Sequence, residues 1–359
     1  GSEVALIELI NALPEELYNI TLVLLDSDNE YAYRLKKNVN IVQLTFNSSF
    51  AKSLVSMYAF PAKVLKKLSV NSFIAYYDFI SNCVTNVFEK TYDIAIDFYG
   101  YGSFVTAFLA TKIQAKKKAT WLHDEKPYWM KSVQKYLCEY DKIYGVSQAV
   151  VDAFCREYPH YKDKAAVFYN VIDIEEIKRK SEQDEIIPFK ESFNIVTVGL
   201  LTEQKGYDIA IKAASILKKR KINFAWYAIG GGRDEKKLKK LVEKYFLENQ
   251  FVFLGRKKNP YPYMKHCDLY VQPSRHEGYV ITLVEARALC LPILSSDIPS
   301  AREQIQDGIN GYVAELSAED LADKIEYLYN NPSQRKKTVE YLKEHPIDFS
   351  TELLKLEII

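Results

Sequence analysis

Short apolar runs bounded by turn residues recur along the chain, and charged amphipathic stretches separate them. In the first half the runs occupy residues 20–25, 41–44, 94–96, 119–122 and 143–146. In the second half they occupy 195–198, 224–229, 251–254, 269–271 and 293–294. Their length and their β-rich composition predict strands. Helical spacing fills the gaps, as in 104–113 and 149–157. Ile209, Ala213, Ile216 and Leu217 recur every three or four positions, and the basic run 218–221 closes that helix. Leu238, Leu241, Val242 and Tyr245 repeat the spacing on a charged helix. Strands alternating with helices predict parallel sheets covered on both faces. Two such blocks in series predict an α/β protein of two doubly wound, Rossmann-like domains.

The first block spans 1–172 and the second 173–344, and 359 residues are about right for two cores. The boundary falls in 170–192, a charged stretch with Pro188 near its end, which reads as a solvated helix and linker. The tail, 345–359, is expected to return to the first domain and pack Leu353, Leu354 and Leu356 on it. The chain opens on Gly1-Ser2-Glu3 and enters a helical pattern at once (Val4, Leu6, Ile7, Leu9, Ile10, Leu13). A strand normally feeds such a helix, and here none precedes it. Gly1-Ser2 is either a cloning scar or the surviving end of a strand-to-helix turn.

One stretch breaks the alternation. Residues 46–79 mix many aromatic and apolar side chains with Lys52, Lys63, Lys66 and Lys67. This is either ordinary core or a helical insertion that touches a membrane surface or a lipid-linked acceptor.

Composition narrows the function classes. Lys plus Arg is 48 and Asp plus Glu is 47, a balance that argues against a dedicated nucleic-acid binder. The five cysteines form no Cys-x-x-Cys pair, so neither a zinc site nor a disulfide framework is indicated. No run of about 18 apolar residues and no signal peptide is seen, so the expected location is cytoplasmic, with the inner membrane face as a place of contact.

The segment with most chemistry follows the strand 269–271. It reads Pro273-Ser274-Arg275-His276-Glu277-Gly278-Tyr279-Val280-Ile281-Thr282-Leu283-Val284-Glu285 and leads into a helix. Ligands of open α/β sheets bind at the carboxyl ends of strands, and a helix start favours a phosphate. Glu277 and Glu285 suit sugar hydroxyls rather than phosphate. Thr282-x-x-Glu285 is also a capping box, which by itself accounts for Glu285. Two more strand ends carry glycines: Gly199 with Lys205-Gly206, and Gly230-Gly231-Gly232. The latter lacks the dinucleotide spacing, which sets aside a nicotinamide-dependent dehydrogenase.

Together these motifs resemble glycosyltransferase family 4, the retaining enzymes of GT-B architecture. Glu277 and Glu285 match its E-x7-E signature, 198–206 its phosphate loop, and 230–232 its next loop. Phe253-Leu254-Gly255-Arg256 with Asn259-Pro260-Tyr261 matches its base-contacting segment, and Asp307-Gly308-Ile309-Asn310-Gly311 its D-G-x-x-G turn. The resemblance covers 194–331 well and reaches the first half at Gly1-Ser2-Glu3, Trp121-Leu122-His123-Asp124 and 169–173.

The resemblance implies two domains facing across a cleft, with the nucleotide-sugar donor on the second and a glycan or lipid-linked acceptor on the first. It implies catalytic roles for His123, Glu277 and Lys205. It implies donor contacts from Gly199, Lys205, Gly230, Arg256, Glu277, Gly278, Tyr279, Val280, Ile281 and Glu285, with Gly1 and Ser2 on the acceptor side. UDP and a bacterial surface polysaccharide are the family-level expectations. No cofactor is expected, since the nucleotide sugar is a substrate, and no nucleic-acid partner. No metal is expected either, because Asp26-Ser27-Asp28 reads as a strand-end turn. One departure stands out: Leu200 occupies a position where the family commonly has Arg, so half of a cationic phosphate clamp is absent, with Arg256 or Arg275 as substitutes. That departure supports a rival reading, a non-catalytic nucleotide-sugar-binding partner in a polysaccharide assembly complex.

Overall fold

A computed structural model describes residues 2–25, 34–36, 38–50, 53, 70–100, 103–183 and 189–357. Gly1, Asp26-Ser27-Asp28, Lys52, Lys63, Lys66, Lys67 and most of the 46–79 stretch lie outside the described residues. The chain divides into two compact units, one of residues 1–172 with 349–359 and one of residues 173–348.

Among its described residues the first unit holds two parallel sheets. β1 (Thr21–Leu24) pairs with β2 (Asn40–Gln43). β3 (Tyr92–Asp97), β4 (Ala115–Leu122), β5 (Lys142–Gly145) and β6 (Ala165–Val167) pair in that order. Trp121, at the end of β4, is fully buried. Its ring lies 5.4 Å from Phe98, 4.8 Å from Tyr144 and 5.1 Å from Phe168, so one indole knits three strand ends. The helix Ser2–Ala12 buries Ala5, Ile7, Leu9 and Ile10.

The helix Ser350–Glu357 belongs to this unit, and what fastens it is largely polar. The buried Glu352 carboxylate accepts the Tyr169 amide at 2.9 Å, and Lys355 donates to the Val167 carbonyl at 3.0 Å. Leu356 is buried and Leu353 half-buried, but Leu354 is exposed, so the expected three-leucine face is corrected to two leucines beside an ion-paired glutamate. An eight-residue helix turns only part of its circumference inward, which leaves Leu354 on the outer side.

The second unit is one six-stranded parallel sheet. Its strands are β7 (Phe193–Val198), β8 (Phe224–Ile229), β9 (Phe251–Gly255), β10 (Leu269–Gln272), β11 (Ile293–Ser296) and β12 (Tyr312–Ala314). Their order, β12-β11-β10-β7-β8-β9, is that of a doubly wound sheet. β8 and β10 are buried on both faces, which explains their unbroken apolar sequence. Helices Tyr207–Lys219 and Ala318–Asn330 pack on one face, burying Ile209, Ile211, Leu217, Leu321 and Ile325. Polar side chains tie the centre: Trp226 Nε1 donates to Thr197 Oγ1 at 3.0 Å, and Thr197 donates to the Val271 carbonyl at 2.8 Å.

Strand order reverses between β7 and β10. In such sheets the loops leaving the two flanking strands part to opposite faces and leave a crevice at their carboxyl ends. Here those loops are 199–206 and 273–280, which carry Lys205 and Glu277.

Candidate active site

The loop after β7 ends in a short turn, Glu203–Lys205, closed by Gly206 at φ 67°. A side chain at Gly206 would place its Cβ 1.8 Å from the Pro273 carbonyl oxygen, so glycine alone allows the two switch-point loops to meet. Hydrogen bonds then lock them. The Arg275 amide donates to the Gln204 carbonyl at 2.8 Å, and Gln204 Nε2 donates to the His276 carbonyl at 3.0 Å.

This approach brings Lys205 Nζ within 2.6 Å of Glu277 Oε1. Glu277 is buried at 7% exposure and also accepts the Ser274 hydroxyl at 2.7 Å, while its backbone carbonyl accepts the Ser300 hydroxyl at 2.9 Å. A buried carboxylate is tolerable only when paired and hydrogen-bonded, and this one is both. The Lys205 stem runs over Gly199, whose added Cβ would lie 3.5 Å from Lys205 Cδ.

Gly230 sits at φ 152°, and a Cβ there would lie 1.9 Å from the Gly199 carbonyl oxygen. The ends of β7 and β8 therefore form a bare backbone face. Arg256 borders it from β9, since a Cβ on Gly231 would come 3.0 Å from Arg256 Nε. Lys205, Gly199, Gly230 and Arg256 thus line one continuous edge with a cation at each end. Arg256 is exposed and makes no ion pair among the described residues. Arg275 is committed elsewhere, bonding Asp208 through both guanidinium nitrogens at 2.7 and 2.8 Å. Burial works against the Asp208 charge, yet the Arg275 bonds outweigh it and hold that carboxyl below its usual range. Of the two substitutes for the cation missing at Leu200, the geometry leaves Arg256 available.

The helix Ile281–Ala288 begins at Val280, and its cap makes no side-chain hydrogen bond. Thr282 lies inside the first turn and donates to Gln272 Oε1 at 2.8 Å, which corrects the capping-box reading. Its hydroxyl is drawn to a buried amide on β10 rather than to its own helix. Glu285 is half-buried and accepts the Tyr261 hydroxyl at 3.0 Å. Gly278, Tyr279 and Val280 form the approach to this helix, while the Ile281 amide is bonded to the Tyr279 carbonyl at 3.1 Å.

His123 lies in the first unit, after β4. Its Nε2 meets the Phe98 carbonyl at 2.6 Å, which requires the proton on that nitrogen. Burial pushes the imidazole down to about 4, against the upward pull of the Phe98 carbonyl and Glu3. The Phe98 loop is anchored by Asp97, fully buried, which accepts Thr106 and Thr120 hydroxyls at 2.6 and 3.0 Å and the Gly100 amide at 3.0 Å. Ser2 opens the helix Ser2–Ala12 of the same unit. Among the described residues, no group of three or more His, Cys, Asp or Glu is gathered as a metal would need, and no helix is long and apolar enough to cross a membrane.

Sequence reasoning gave Lys205 and Glu277 separate partners; the structure pairs them. It also missed Gln272 and Ser274 behind Glu277, and, separately, Asp97 under the Phe98 loop of the first unit. Only Ser274 carried a signal, its place in the glutamate motif.

Residues 178–345 match the family model described as Glycosyl transferases group 1. An uncharacterized glycosyltransferase of Methanocaldococcus jannaschii is 32% identical over 172 residues, 47% of this chain and 40% of that protein. The N-acetylgalactosamine-N,N'-diacetylbacillosaminyl-diphospho-undecaprenol 4-alpha-N-acetylgalactosaminyltransferase of Campylobacter jejuni is 30% identical over 184 residues, 48% of this chain and 49% of that enzyme. The chain spans about half the length of the curated relatives it matches. The crystal structure of Anabaena HepE in complex with UDP shares the fold at a TM-score of 0.73 and 16% identity, over 100% of this chain and 95% of that one. The fold is GT-B, with α/β units built on parallel sheets, and the relatives support a glycosyltransferase.

Proposed function

We propose that this chain is a retaining glycosyltransferase of family 4 that moves a hexose-type sugar from a UDP-sugar to a glycan or lipid-linked acceptor in bacterial surface polysaccharide synthesis. One observation carries the reading: Lys205 and Glu277 meet at the switch point of the second unit, beside the bare backbone of Gly199 and Gly230. Diphosphate needs cations and open amides, and a sugar hydroxyl needs a carboxylate. Both sets of groups stand at one strand-end edge. The names of the relatives support the class: the Campylobacter enzyme is a 4-alpha-N-acetylgalactosaminyltransferase, and HepE was solved with UDP.

In this reading the second unit holds the donor and the first receives the acceptor. Lys205 and Arg256 take the diphosphate charge with the 278–280 backbone, Glu285 takes the ribose hydroxyls, and Glu277 takes the transferred sugar. An acceptor hydroxyl attacks from the face the diphosphate leaves, and the departing phosphate oxygen takes its proton. His123 acts as a neutral imidazole of the first unit, its Nε2 proton held by the Phe98 carbonyl. Positioning and electrostatics supply most of the rate. The enzyme uses no metal ion and works at the inner face of the membrane.

A panel of nucleotide sugars tests the reading by thermal stabilisation and by turnover. Stabilisation by one UDP-sugar with transfer of its sugar is the expected result. Binding without transfer, across a range of acceptors, would favour the non-catalytic reading; no binding of any nucleotide sugar would overturn both. Transfer abolished by EDTA and restored by Mg²⁺ or Mn²⁺ would overturn the metal-free part. Liposome co-sedimentation that is equal for wild type and a Lys63, Lys66, Lys67→Glu variant would overturn the membrane part.

A further inference from the structure

A line of hydrogen bonds runs through the interior behind Glu277, and every donor in it points the same way. The Tyr270 hydroxyl donates to Gln272 Oε1 at 2.7 Å, and the Thr282 hydroxyl donates to the same oxygen at 2.8 Å. Gln272 Nε2 donates to Ser274 Oγ at 2.7 Å, and Ser274 donates to Glu277 Oε1 at 2.7 Å. Tyr270, Gln272 and Ser274 are all fully buried.

The direction is not arbitrary. A carboxylate has no proton to give, so the Ser274 hydroxyl must donate to Glu277. Ser274 Oγ must then accept from Gln272, which turns the amide nitrogen toward Ser274 and the amide oxygen toward Tyr270 and Thr282. Burial pushes the Tyr270 phenol well above its ordinary range, so it stays a donor. Reversing any one bond would set two acceptors face to face with no water to relieve them.

We propose that Gln272 is a positioning residue for the sugar-binding carboxylate, acting through Ser274. This rests on the assignment of Glu277 to the transferred sugar. The amide holds the Ser274 hydroxyl on Glu277 Oε1, the oxygen that Lys205 also contacts, and this fixes the rotamer of Glu277. When Lys205 turns to a diphosphate, Ser274 remains as the bond that keeps the carboxylate in place. Glu277 Oε2, which among the described residues has only a long 3.5 Å contact from Gln204, is then the oxygen presented to a sugar hydroxyl. The other requirement for the role is rigidity: Gln272 ends β10 in register with Ser295 of the neighbouring strand, and the Ser296 hydroxyl of that strand donates to the Ser274 carbonyl.

The test is a double-mutant cycle in the full chain. Turnover of the UDP-sugar and the Kd of UDP alone are measured for wild type, Gln272→Met, Ser274→Ala and the double variant. Each single change is expected to lower kcat about 10-fold, the size of one buried hydrogen bond, with the UDP Kd within about 2-fold of wild type. The double variant is expected to be no worse than Ser274→Ala alone, because the amide acts through the hydroxyl. Losses that multiply to about 100-fold, or a UDP Kd that rises in step with the loss of kcat, would show an ordinary packing residue and overturn the proposal. If Gln272→Met does not fold, Gln272→Glu replaces it. The introduced carboxylate accepts the Ser274 hydroxyl and draws it off Glu277, so the same loss is expected, and wild-type turnover overturns the proposal. Absence of turnover in wild type itself fails the assignment of function; an active wild type with indifferent variants fails this inference alone.

Discussion

Lys205 Nζ and Glu277 Oε1 lie 2.6 Å apart although the residues are 72 positions apart in the chain. The lysine leaves the first strand of its unit and the glutamate the fourth. They meet because strand order reverses between those two strands. The pair makes the second unit self-sufficient while no ligand is bound: each charge satisfies the other in a site where neither would be stable alone. A donor that offers phosphate to the lysine and hydroxyls to the glutamate exchanges one internal contact for two external ones.

Removing the carboxylate charge separates its two tasks. Glu277→Gln is expected to lower kcat by about 100-fold, the size of a lost transition-state contact. It also releases Lys205, so the Kd of free UDP should stay level or fall. Steady-state kinetics with UDP calorimetry checks both. A kcat within about 3-fold of wild type would remove Glu277 from the chemistry.

Lys205→Met is expected to act in the opposite sense. It removes a cation from the phosphate edge and leaves the buried Glu277 with neutral partners, Ser274 and the long contact from Gln204. UDP affinity should fall about 10-fold or more, and the melting temperature should drop because a buried charge has lost its partner. Unchanged UDP affinity would place the diphosphate elsewhere.

Gly230→Ala tests the bare edge. The added Cβ would fall 1.9 Å from the Gly199 carbonyl oxygen, on a backbone at φ 152° that only glycine tolerates. Both loops must shift, so the melting temperature and UDP affinity should fall together. Gly308→Ala is the control, since a Cβ there meets nothing within 4 Å although its φ of 78° also carries strain. It is expected to lower stability with little effect on UDP.

His123 gives a dependence on pH. Its folded-state value is pushed down to about 4, against about 6.5 in an unfolded chain. Between those values the unfolded state binds the extra proton, so stability falls as pH drops from about 6.5 toward 4. His123→Gln should flatten the melting-temperature profile in that window relative to wild type. Parallel profiles would mean that the imidazole is free to protonate in the folded state.

How much of this was legible in the sequence follows from what each residue contacts. β7, β8 and β10 are buried on both faces, so continuous apolar runs such as 195–198 and 224–229 declare them. β6 and β12 are three residues each, and the sequence pattern assigns no strand to either. Glycines at strand ends were visible as glycines, but that Gly206 exists to admit the Pro273 carbonyl depends on a loop 67 positions later. Thr282 and Glu285 have capping-box spacing, and nothing local reveals that Thr282 faces Gln272 instead. Gln272 itself reads as the polar end of a strand. Its importance lies in three contacts, one back along its strand to Tyr270, one forward to Ser274 in the loop and one across to a helix. Local spacing is legible because backbone periodicity imposes it; contacts made by chain reversal are not.

The return of the helix Ser350–Glu357 to the first unit has a consequence for biosynthesis. The ribosome completes residues 1–172 well before it makes Glu352, whose carboxylate caps the Tyr169 amide. At about 5–20 residues per second, roughly 10–40 seconds separate Ile172 from that helix. During that interval the second unit has all of its own strands emerging in order, whereas the first waits with an open seam along β6 and 167–169. Translation order therefore favours the later-made unit as the first to finish, and the earlier-made one closes around a helix synthesised after that unit.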